Sequence, residues 1–204
     1  MPQTAFHMKR TLIFASNNSH KAEEIRKILD DQFRIITLKE AGIEADIPEP
    51  HDSFHENALE KSRFIHRLTG TDCFAEDSGL EVTALDGAPG VRSARYAGAG
   101  ATDHENVQKL LSAMETCNER SARFRTVISL IIDNKELFFE GACNGHITRS
   151  PSGENGFGYD PVFVPEGEDR SFAEMNMEEK SKISHRKKAV QQMAAYLLHQ
   201  HDIS

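Results

Sequence analysis

Two adjacent carboxylates, Glu76 and Asp77, are the residues whose chemistry is hardest to attribute to packing. They follow the apolar residues 73–75 and precede Ser78 and Gly79. We therefore expect them at the carboxyl end of a buried strand, where open α/β sheets bind ligands. Adjacent acids repel unless something positive lies between or beside them, and Mg²⁺ is the usual partner of oxygen ligands. The alternative is a solvated turn, for which Asp-Ser-Gly is well suited.

A polar segment near the start of the chain, residues 16–21, could bind an anion. It lies between the apolar run 11–15 and a helical pattern, so its backbone N–H groups stand at a helix N-terminus, where the dipole favours negative charge. Lys21 adds a full positive charge. The alternative is an ordinary capping loop, because Asn and Ser are common N-caps. The segment is not a P-loop, since G-x-x-x-x-G-K-[ST] occurs nowhere in the sequence.

Two further stretches contain glycine and proline. In residues 156–161, glycines on either side of Phe157 let the backbone approach a flat ligand closely, and the aromatic ring could stack on a base. Asp160, just beyond the ring, could read the edge of that base. Residues 87–96 include two arginines and could form the wall of a site or a structured surface loop.

Basic residues towards the end of the chain form another candidate group. Lys180 precedes His185 and Arg186, which stand at the start of a helical pattern. A solvated helix N-terminus is one explanation, but cations at that end oppose the helix dipole. The misfit favours a functional role.

The elements that must position these residues alternate between strands and helices. The strand at 11–15, a helix with Glu23 and Glu24 in its first turn, and a strand at 34–38 indicate a parallel βαβ unit. Ser and Thr residues followed three positions later by Glu begin two more helices, after Ser53 and Thr102. The core-facing residues expected on the first of these helices are Phe54, Ala58, Ile65 and Leu68.

The second half of the chain adds a β-hairpin and a closing helix. Residues 125–132 and 136–139 flank Asp133-Asn134-Lys135, a hairpin signal, and the last helix begins near Ser184. The fold class is therefore α/β, with a mixed sheet covered by helices. No linker divides the sequence, so we predict one domain over residues 10–200 after a frayed leader at 1–9.

Composition narrows the function classes. The chain has 204 residues, a formal net charge of −8 and a pI near 5.7, a charge that repels a nucleic-acid backbone. The sequence has no apolar run of the ~18 residues that a membrane span needs, and the N-terminal segment lacks the features of a secretory signal. Three scattered cysteines without a C-x-x-C spacing fit a reducing cytosol. We expect a cytoplasmic protein with neither nucleic-acid nor membrane partners.

Five motifs, taken in order, resemble those of the inosine triphosphate pyrophosphatase family, also called XTP/dITP diphosphatases. They are S-N-N-S-H-K, S-F-x-E-N-A, E-D-S-G-L-E-V-x-A-L-x-G-x-P-G-V-x-S-A-R-Y, F-G-Y-D-P-V-F and E-K-S-x-I-S-H-R-x-x-A. Each alone is modest evidence, but all five in one order are very specific, and the resemblance extends from Leu12 to Leu198. It implies an elongated central sheet in two lobes, with the active site in the cleft between them.

The resemblance also implies a role for each candidate residue. The phosphate-binding residues are Ser16, Asn17, Asn18, Ser19, His20, Lys21 and Lys61. Glu49 and Asp77 are the implied ligands of Mg²⁺, Asp77 is also the implied general base, and Ser78 contacts the substrate. The base-binding loop comprises Phe157, Gly158, Tyr159 and Asp160. The purine's polar edge is read by Lys180, His185 and Arg186. Two departures are visible, because Glu76 replaces an Asp often found there and Ser16 stands where Thr is common.

The implied activity is the Mg²⁺-dependent hydrolysis of ITP, dITP and XTP to monophosphate and pyrophosphate by a homodimer, which would remove deaminated purines from the nucleotide pool. Two alternatives stay open. One is a related pyrophosphatase that prefers pyrimidine or methylated nucleotides. The other is a sensor that binds a triphosphate without cleaving it.

Overall fold

The computed structural model describes residues 9–29, 33–45 and 47–201, with the side chains of 200 and 201 excluded. Of the predicted leader at 1–9, residues 1–8 therefore lie outside the described residues. Six strands form one sheet in the order β2-β1-β3-β4-β5-β6. Their bounds are β1 Arg10–Phe14, β2 Phe33–Thr37, β3 Cys73–Val82, β4 Ser121–Ile132, β5 Lys135–Ile147 and β6 Phe163–Pro165. The longer helices are α1 Ser19–Leu29, α2 Phe54–Thr69, α3 Asp103–Ala113, α4 Met177–Ile183 and α5 His185–His201.

The sheet is mixed, as predicted. Strand β1 pairs in parallel with both β2 and β3, which confirms the βαβ unit, whereas β3 to β6 are antiparallel neighbours. The hairpin is also confirmed, because Asp133 and Asn134 have φ of 49° and 60°, the left-handed values that a two-residue turn between twisted strands requires. Lys135 belongs to β5 rather than to the turn, and both hairpin strands are longer than predicted.

The expected position of Glu76 and Asp77 at a strand end is wrong. Strand β1 pairs only with the first residues of β3, ending at Phe14 opposite Phe74, so the parallel part of the sheet stops just before the two acids. Strand β3 nevertheless continues to Val82 because β4 pairs with it along its whole length. The carboxylates therefore lie in mid-strand, immediately beyond the carboxyl end of the parallel region.

The helices cover the sheet through two main apolar clusters. One joins α1 and α5 to the parallel strands, through residues such as Leu12, Ile25 and Val190. The other surrounds Phe124 and Phe163 near the opposite end of the sheet. On α2, Phe54, Ala58 and Ile65 are buried as predicted, but Leu68 is 59% exposed. Leu68 lies in the last turn of α2, before the C-cap Gly70. Helical periodicity predicts which way a side chain points, but it does not show where the surface that covers the helix ends.

Helix starts are set by side-chain caps. Thr102 and Glu105 form a reciprocal capping box at α3, and the Ser53 hydroxyl accepts a bond from Glu56 N at α2. Helix α1 begins at Ser19, so Glu23 and Glu24 are not in its first turn, contrary to prediction. Within the described residues, no helix is long and apolar enough to span a bilayer.

Candidate active site

Residues from five separate candidate stretches meet around one cavity, which we call the Phe157 cavity. Its volume is about 140 Å³, and Lys21, Ser78, Phe157 and His185 are among the residues that line it. Asn18, Gly158, Tyr159, Asp160 and Lys180 complete the predicted residues in its wall. A larger groove of about 750 Å³ runs over the far end of β3, β4 and β5, but none of the predicted residues lines it. Nine predicted site residues therefore line the smaller cavity, and eight do not: Ser16, Asn17, Ser19, His20, Glu49, Lys61, Asp77 and Arg186.

Glu76 and Asp77 point to opposite faces of the sheet, because successive side chains alternate along a strand. Glu76 contacts Lys21 and Arg186 on the side of α1 and α5, whereas Asp77 contacts Lys61 on the side of α2. The two adjacent acids are thus neutralised by separate side-chain cations. The expectation that a metal ion must relieve repulsion between them is unnecessary.

On the α2 face, Lys61 lies between two carboxylates. Its Nζ is 2.5 Å from Glu49 Oε1 and 3.4 Å from Asp77 Oδ1. Burial raises the pKa of Asp77, and the charges of Lys61 and Lys21 only partly oppose this. Burial acts in the same direction on Glu49, but there the charge and hydrogen bond of Lys61 and the hydrogen bond of Arg95 prevail and lower the pKa. The charge of Lys21 also acts to lower the pKa of both acids.

The loop that carries Glu49 is held by two residues that were given no role from the sequence. Arg95 Nη1 donates to Glu49 Oε2 at 3.1 Å, and its Nη2 donates to the Glu49 carbonyl at 3.2 Å. Asn57 exchanges two hydrogen bonds with the backbone of His51 and donates to Asp77 Oδ2 at 3.2 Å. Asn57 therefore ties the loop to Asp77, and its place in the S-F-x-E-N-A motif was the available signal.

On the opposite face lies a buried ion-pair network of three acids and three bases, Lys21, Glu24, Glu76, Asp160, Lys180 and Arg186. Arg186 is 1% exposed and donates to both oxygens of Glu76 and to Glu24. Burial alone would raise the pKa of Glu76, but the charges of Arg186 and Lys21 lower it far below its ordinary value. Burial acts in the same direction on Glu24, but the charges of Arg186 and Lys180 lower its pKa, whereas burial raises the pKa of Asp160.

Glu24 is the member of this network that the sequence interpretation missed. It is 5% exposed, contacts Arg186, and accepts from Lys180 Nζ at 2.9 Å. Lys21 and Glu24 are three residues apart on α1 and so share a helix face. That spacing was the signal that could have placed Glu24 in the site.

The loop carrying Phe157 closes one side of the cavity. The Phe157 ring stacks on His20 with centroids 5.5 Å apart, and its centroid is 4.7 Å from Lys180 Nζ and 5.7 Å from Arg186 Cζ. Asp160, 2% exposed, accepts from Phe157 N at 2.9 Å and from Lys180 Nζ at 2.7 Å. Asp160 thus fixes the loop backbone and joins it to the ion-pair network.

His185 presents an uncharged nitrogen to the cavity region. Its ring is 4% exposed and stacks on Phe124 with centroids 4.8 Å apart. Burial and the charges of Arg186 and Lys180 lower the pKa of His185 well below its ordinary value. In the described part of the chain, His185 Nδ1 is buried without a hydrogen-bond partner. Buried polar atoms are rarely left unsatisfied, so this nitrogen is suited to a ligand's polar edge.

The state of His185 gives a test by pH. Below the unfolded-state pKa of ~6.5, the unfolded chain binds a proton at this ring and the folded chain does not. The free energy of unfolding therefore decreases as the pH is lowered, by up to ~1.4 kcal/mol per pH unit. Above about pH 7 this contribution is constant. We expect His185→Asn to have a shallower loss of stability than wild type between about pH 7 and 5. Urea unfolding across that range measures it, and equal slopes in the two proteins would contradict a neutral buried imidazole.

The side chains of residues 16–21, the predicted phosphate loop, divide between holding the loop and facing outward. Asn18 N donates to Ser16 Oγ, Asn18 Oδ1 accepts from Lys21 N, and Asn17 Oδ1 accepts from Lys39 N. Ser19 and His20 are exposed at the start of α1. Ser78 Oγ lies 2.7 Å from Thr126 Oγ1. The loop is therefore built by its own polar side chains, which leaves the N-terminus of α1 and Lys21 facing the cavity.

Comparison with known proteins identifies the family. The model of the Ham1 family matches residues 12–196. A dITP/XTP pyrophosphatase of Porphyromonas gingivalis is 53% identical over 188 residues, covering 92% of this chain and 97% of the relative. The chain belongs to the Ham1 family. The Ham1 protein of Staphylococcus aureus superposes with a TM-score of 0.85 at 38% identity, covering 94% of this chain and 100% of that one.

A second solved Ham1 protein, from Coxiella burnetii, gives the same TM-score of 0.85 at 41% identity, over 93% of this chain and 99% of that one. A dITP/XTP pyrophosphatase of Flavobacterium johnsoniae is 47% identical and covers 89% of this chain and 95% of the relative. The predicted family and the mixed α/β fold are thereby confirmed. The division into two lobes around a cleft stays a prediction.

The donor set of this Ham1 chain fits a hard divalent cation only in part. Glu49 and Asp77 offer carboxylate oxygens, the ligands that Mg²⁺ prefers, and an ammonium group already lies between them. Among the described residues, no group of three or more His, Cys, Asp or Glu side chains is arranged to hold a metal. Mg²⁺ is commonly bound through one or two carboxylates plus substrate phosphates, and two carboxylates satisfy that pattern.

Proposed function

We propose that this chain hydrolyses ITP, dITP and XTP to nucleoside monophosphate and pyrophosphate, with Mg²⁺ bound by Glu49 and Asp77. The observation that carries the proposal is a cavity of about 140 Å³ lined by Lys21, Phe157 and His185, the last of which has a buried Nδ1 without a partner among the described residues. The relatives named dITP/XTP pyrophosphatase support the same substrate class. A homodimer in the cytoplasm completes the proposal, and sedimentation of the purified protein tests the dimer.

The reaction is an in-line attack of water on the α-phosphorus. The water oxygen bonds to phosphorus as the bond to the bridging oxygen breaks, and pyrophosphate leaves. Asp77 accepts the water's proton, a role for which its raised pKa is favourable. The N-terminus of α1, Lys21 and Lys61 hold the triphosphate. Mg²⁺, when bound, neutralises charge that develops on the phosphate oxygens and the leaving group.

The base is selected by its polar edge. Hypoxanthine and xanthine carry a 6-keto acceptor where adenine carries a 6-amino donor, and Arg186 and Lys180 can only donate. Both cations lie over the Phe157 ring, which supports a role beside a base that stacks in the loop. Lys180 lines the cavity, whereas Arg186 is 1% exposed and pairs with Glu76 and Glu24. A mismatched buried polar contact can discriminate by ~10⁴–10⁵. Guanine shares the keto group, so GTP has to be rejected at its 2-amino group. Xanthine carries a 2-keto oxygen of similar size, so that rejection has to depend on the amino group being a donor rather than on its bulk.

Chromatographic product analysis tests the activity. The protein is incubated with ITP, dITP, XTP, GTP, ATP and a set of pyrimidine and methylated nucleotides, with and without Mg²⁺. We expect metal-dependent release of pyrophosphate from the first three only. Preferred turnover of pyrimidine or methylated substrates would select the first alternative, tight binding without turnover would select the sensor, and release of orthophosphate would show that another phosphorus is attacked.

Gly156 offers a test of the base loop. Its φ is +77°, and a Cβ there would lie 2.0 Å from Asp160 Oδ2, so Gly156→Ala should displace the carboxylate that fixes the loop. The matched control is Gly158→Ala, whose φ is +62° and whose Cβ would meet no atom within 4 Å. Both carry backbone strain of about 1–2 kcal/mol. We expect the KM of Gly156→Ala for ITP to be roughly ten times that of Gly158→Ala. Equal KM values in the two variants would contradict the role of Asp160.

A further inference from the structure

Lys61 occupies a position that has consequences for metal binding. Its Nζ contacts Glu49 Oε1 and Asp77 Oδ1 at the same time, at 2.5 and 3.4 Å, and its side chain is 9% exposed. The two acids come from different elements, Glu49 from the loop before α2 and Asp77 from β3. The ammonium group is therefore the positive charge that joins them in this structure.

An ammonium and a metal dication cannot both stand between the same two carboxylates. Each is attracted by the pair, and they repel each other strongly at such a distance within a partly buried site. Asp77 retains the Asn57 amide and Glu49 retains Arg95 when the ammonium leaves. Nothing else within the described residues supplies a third acid to the pair. The loss of Lys61 from this position is thus a requirement for metal binding by Glu49 and Asp77.

We propose that Lys61 is a built-in competitor of the metal ion, which keeps the carboxylate pair closed to free divalent cations until a triphosphate arrives. The triphosphate supplies oxygens that attract the ammonium away from the pair and that complete the coordination of the metal. Lys61 therefore serves two positions in turn, between the acids before substrate binds and against phosphate afterwards. The inference rests on the proposed metal role of Glu49 and Asp77 and adds an order of events to it.

Binding of Mn²⁺ in the absence of nucleotide tests the competition without any turnover. Lys61→Met removes the ammonium group and keeps most of the aliphatic stem. Without nucleotide present, this variant should bind Mn²⁺ at least about tenfold more tightly than wild type. Lys61→Arg keeps the charge and should show no gain. Lys182→Met is the matched surface control and should equal wild type, since the Lys182 side chain is 64% exposed and pairs with Glu178 on the same helix. Free Mn²⁺ is measured by electron paramagnetic resonance.

The double variant Lys61→Met with Asp77→Asn locates the gain. It should lose the added Mn²⁺ affinity, because one of the two ligands is gone. Equal or weaker Mn²⁺ binding by Lys61→Met than by wild type would overturn the competition, and so would an equal gain in Lys182→Met. A gain that survives Asp77→Asn would instead overturn the assigned metal ligands and with them the proposed function. Thermal unfolding confirms that each variant is folded, and Lys61→Gln replaces Lys61→Met if the latter is not.

Discussion

Asp77→Asn is expected to lower kcat for ITP by ~10³-fold or more while leaving the protein folded, because removal of a general base alone costs ~10²–10⁴ and this residue is also a proposed metal ligand. The amide keeps the shape of the side chain and can still accept from Asn57. Burial raises the pKa of Asp77, so ionising this carboxyl costs more free energy in the folded chain than in the unfolded chain. The neutral variant should therefore be as stable as wild type or more stable.

The combined readout distinguishes a catalytic role from a structural one. Pyrophosphate release gives kcat, and urea unfolding at neutral pH gives the free energy of unfolding. Asp52→Asn is the matched control, since Asp52 lies in the neighbouring acidic segment with its side chain 91% exposed, and it should retain full activity. An Asp77→Asn enzyme with wild-type kcat would refute the assignment. A variant that is inactive because it has unfolded would refute the argument from the pKa.

Features encoded by neighbouring residues were predictable from the sequence. The cap at Thr102, the hairpin at Asp133 and the βαβ unit each depend on a few adjacent positions, where propensity and turn chemistry decide the structure. The five family motifs name candidate site residues, and their roles stay predictions. The meeting of five candidate stretches around the Phe157 cavity follows from the fold.

Features that depend on partners distant in sequence were not predictable. The strand position of Glu76 is decided by β4, whose pairing residue Ile128 lies far along the chain. The burial of Glu24 depends on Arg186, which is 162 residues away. A charged residue on a helix is ordinarily solvated, so only the presence of two buried cations makes its burial favourable. Local sequence patterns describe each residue separately and do not show which distant residues come into contact.

Arg186→Met is expected to lower the free energy of unfolding by ~3–5 kcal/mol, since removing one partner of a buried ion pair leaves uncompensated charge. Glu76 and Glu24 have side chains that are 0% and 6% exposed, and Lys21 and Lys180 compensate them only in part. A loss of this size is a large fraction of the stability of a typical domain, about 5–15 kcal/mol. Urea unfolding at neutral pH measures it.

Two further variants distinguish the effect of breaking the buried network from the effect of removing any arginine. Arg123→Met breaks an exposed pair with Glu81, whose side chains are 51% and 20% exposed, and should cost less than about 1 kcal/mol. The double variant Arg186→Met with Glu76→Gln removes both charges and should recover part of the stability that Arg186→Met loses. If the double variant loses more unfolding free energy than the two single variants lose together, Glu76 and Arg186 do not stabilise the fold through each other. Recovery would show that Arg186, the residue proposed to read the base, and Glu76 on β3 stabilise the fold through each other.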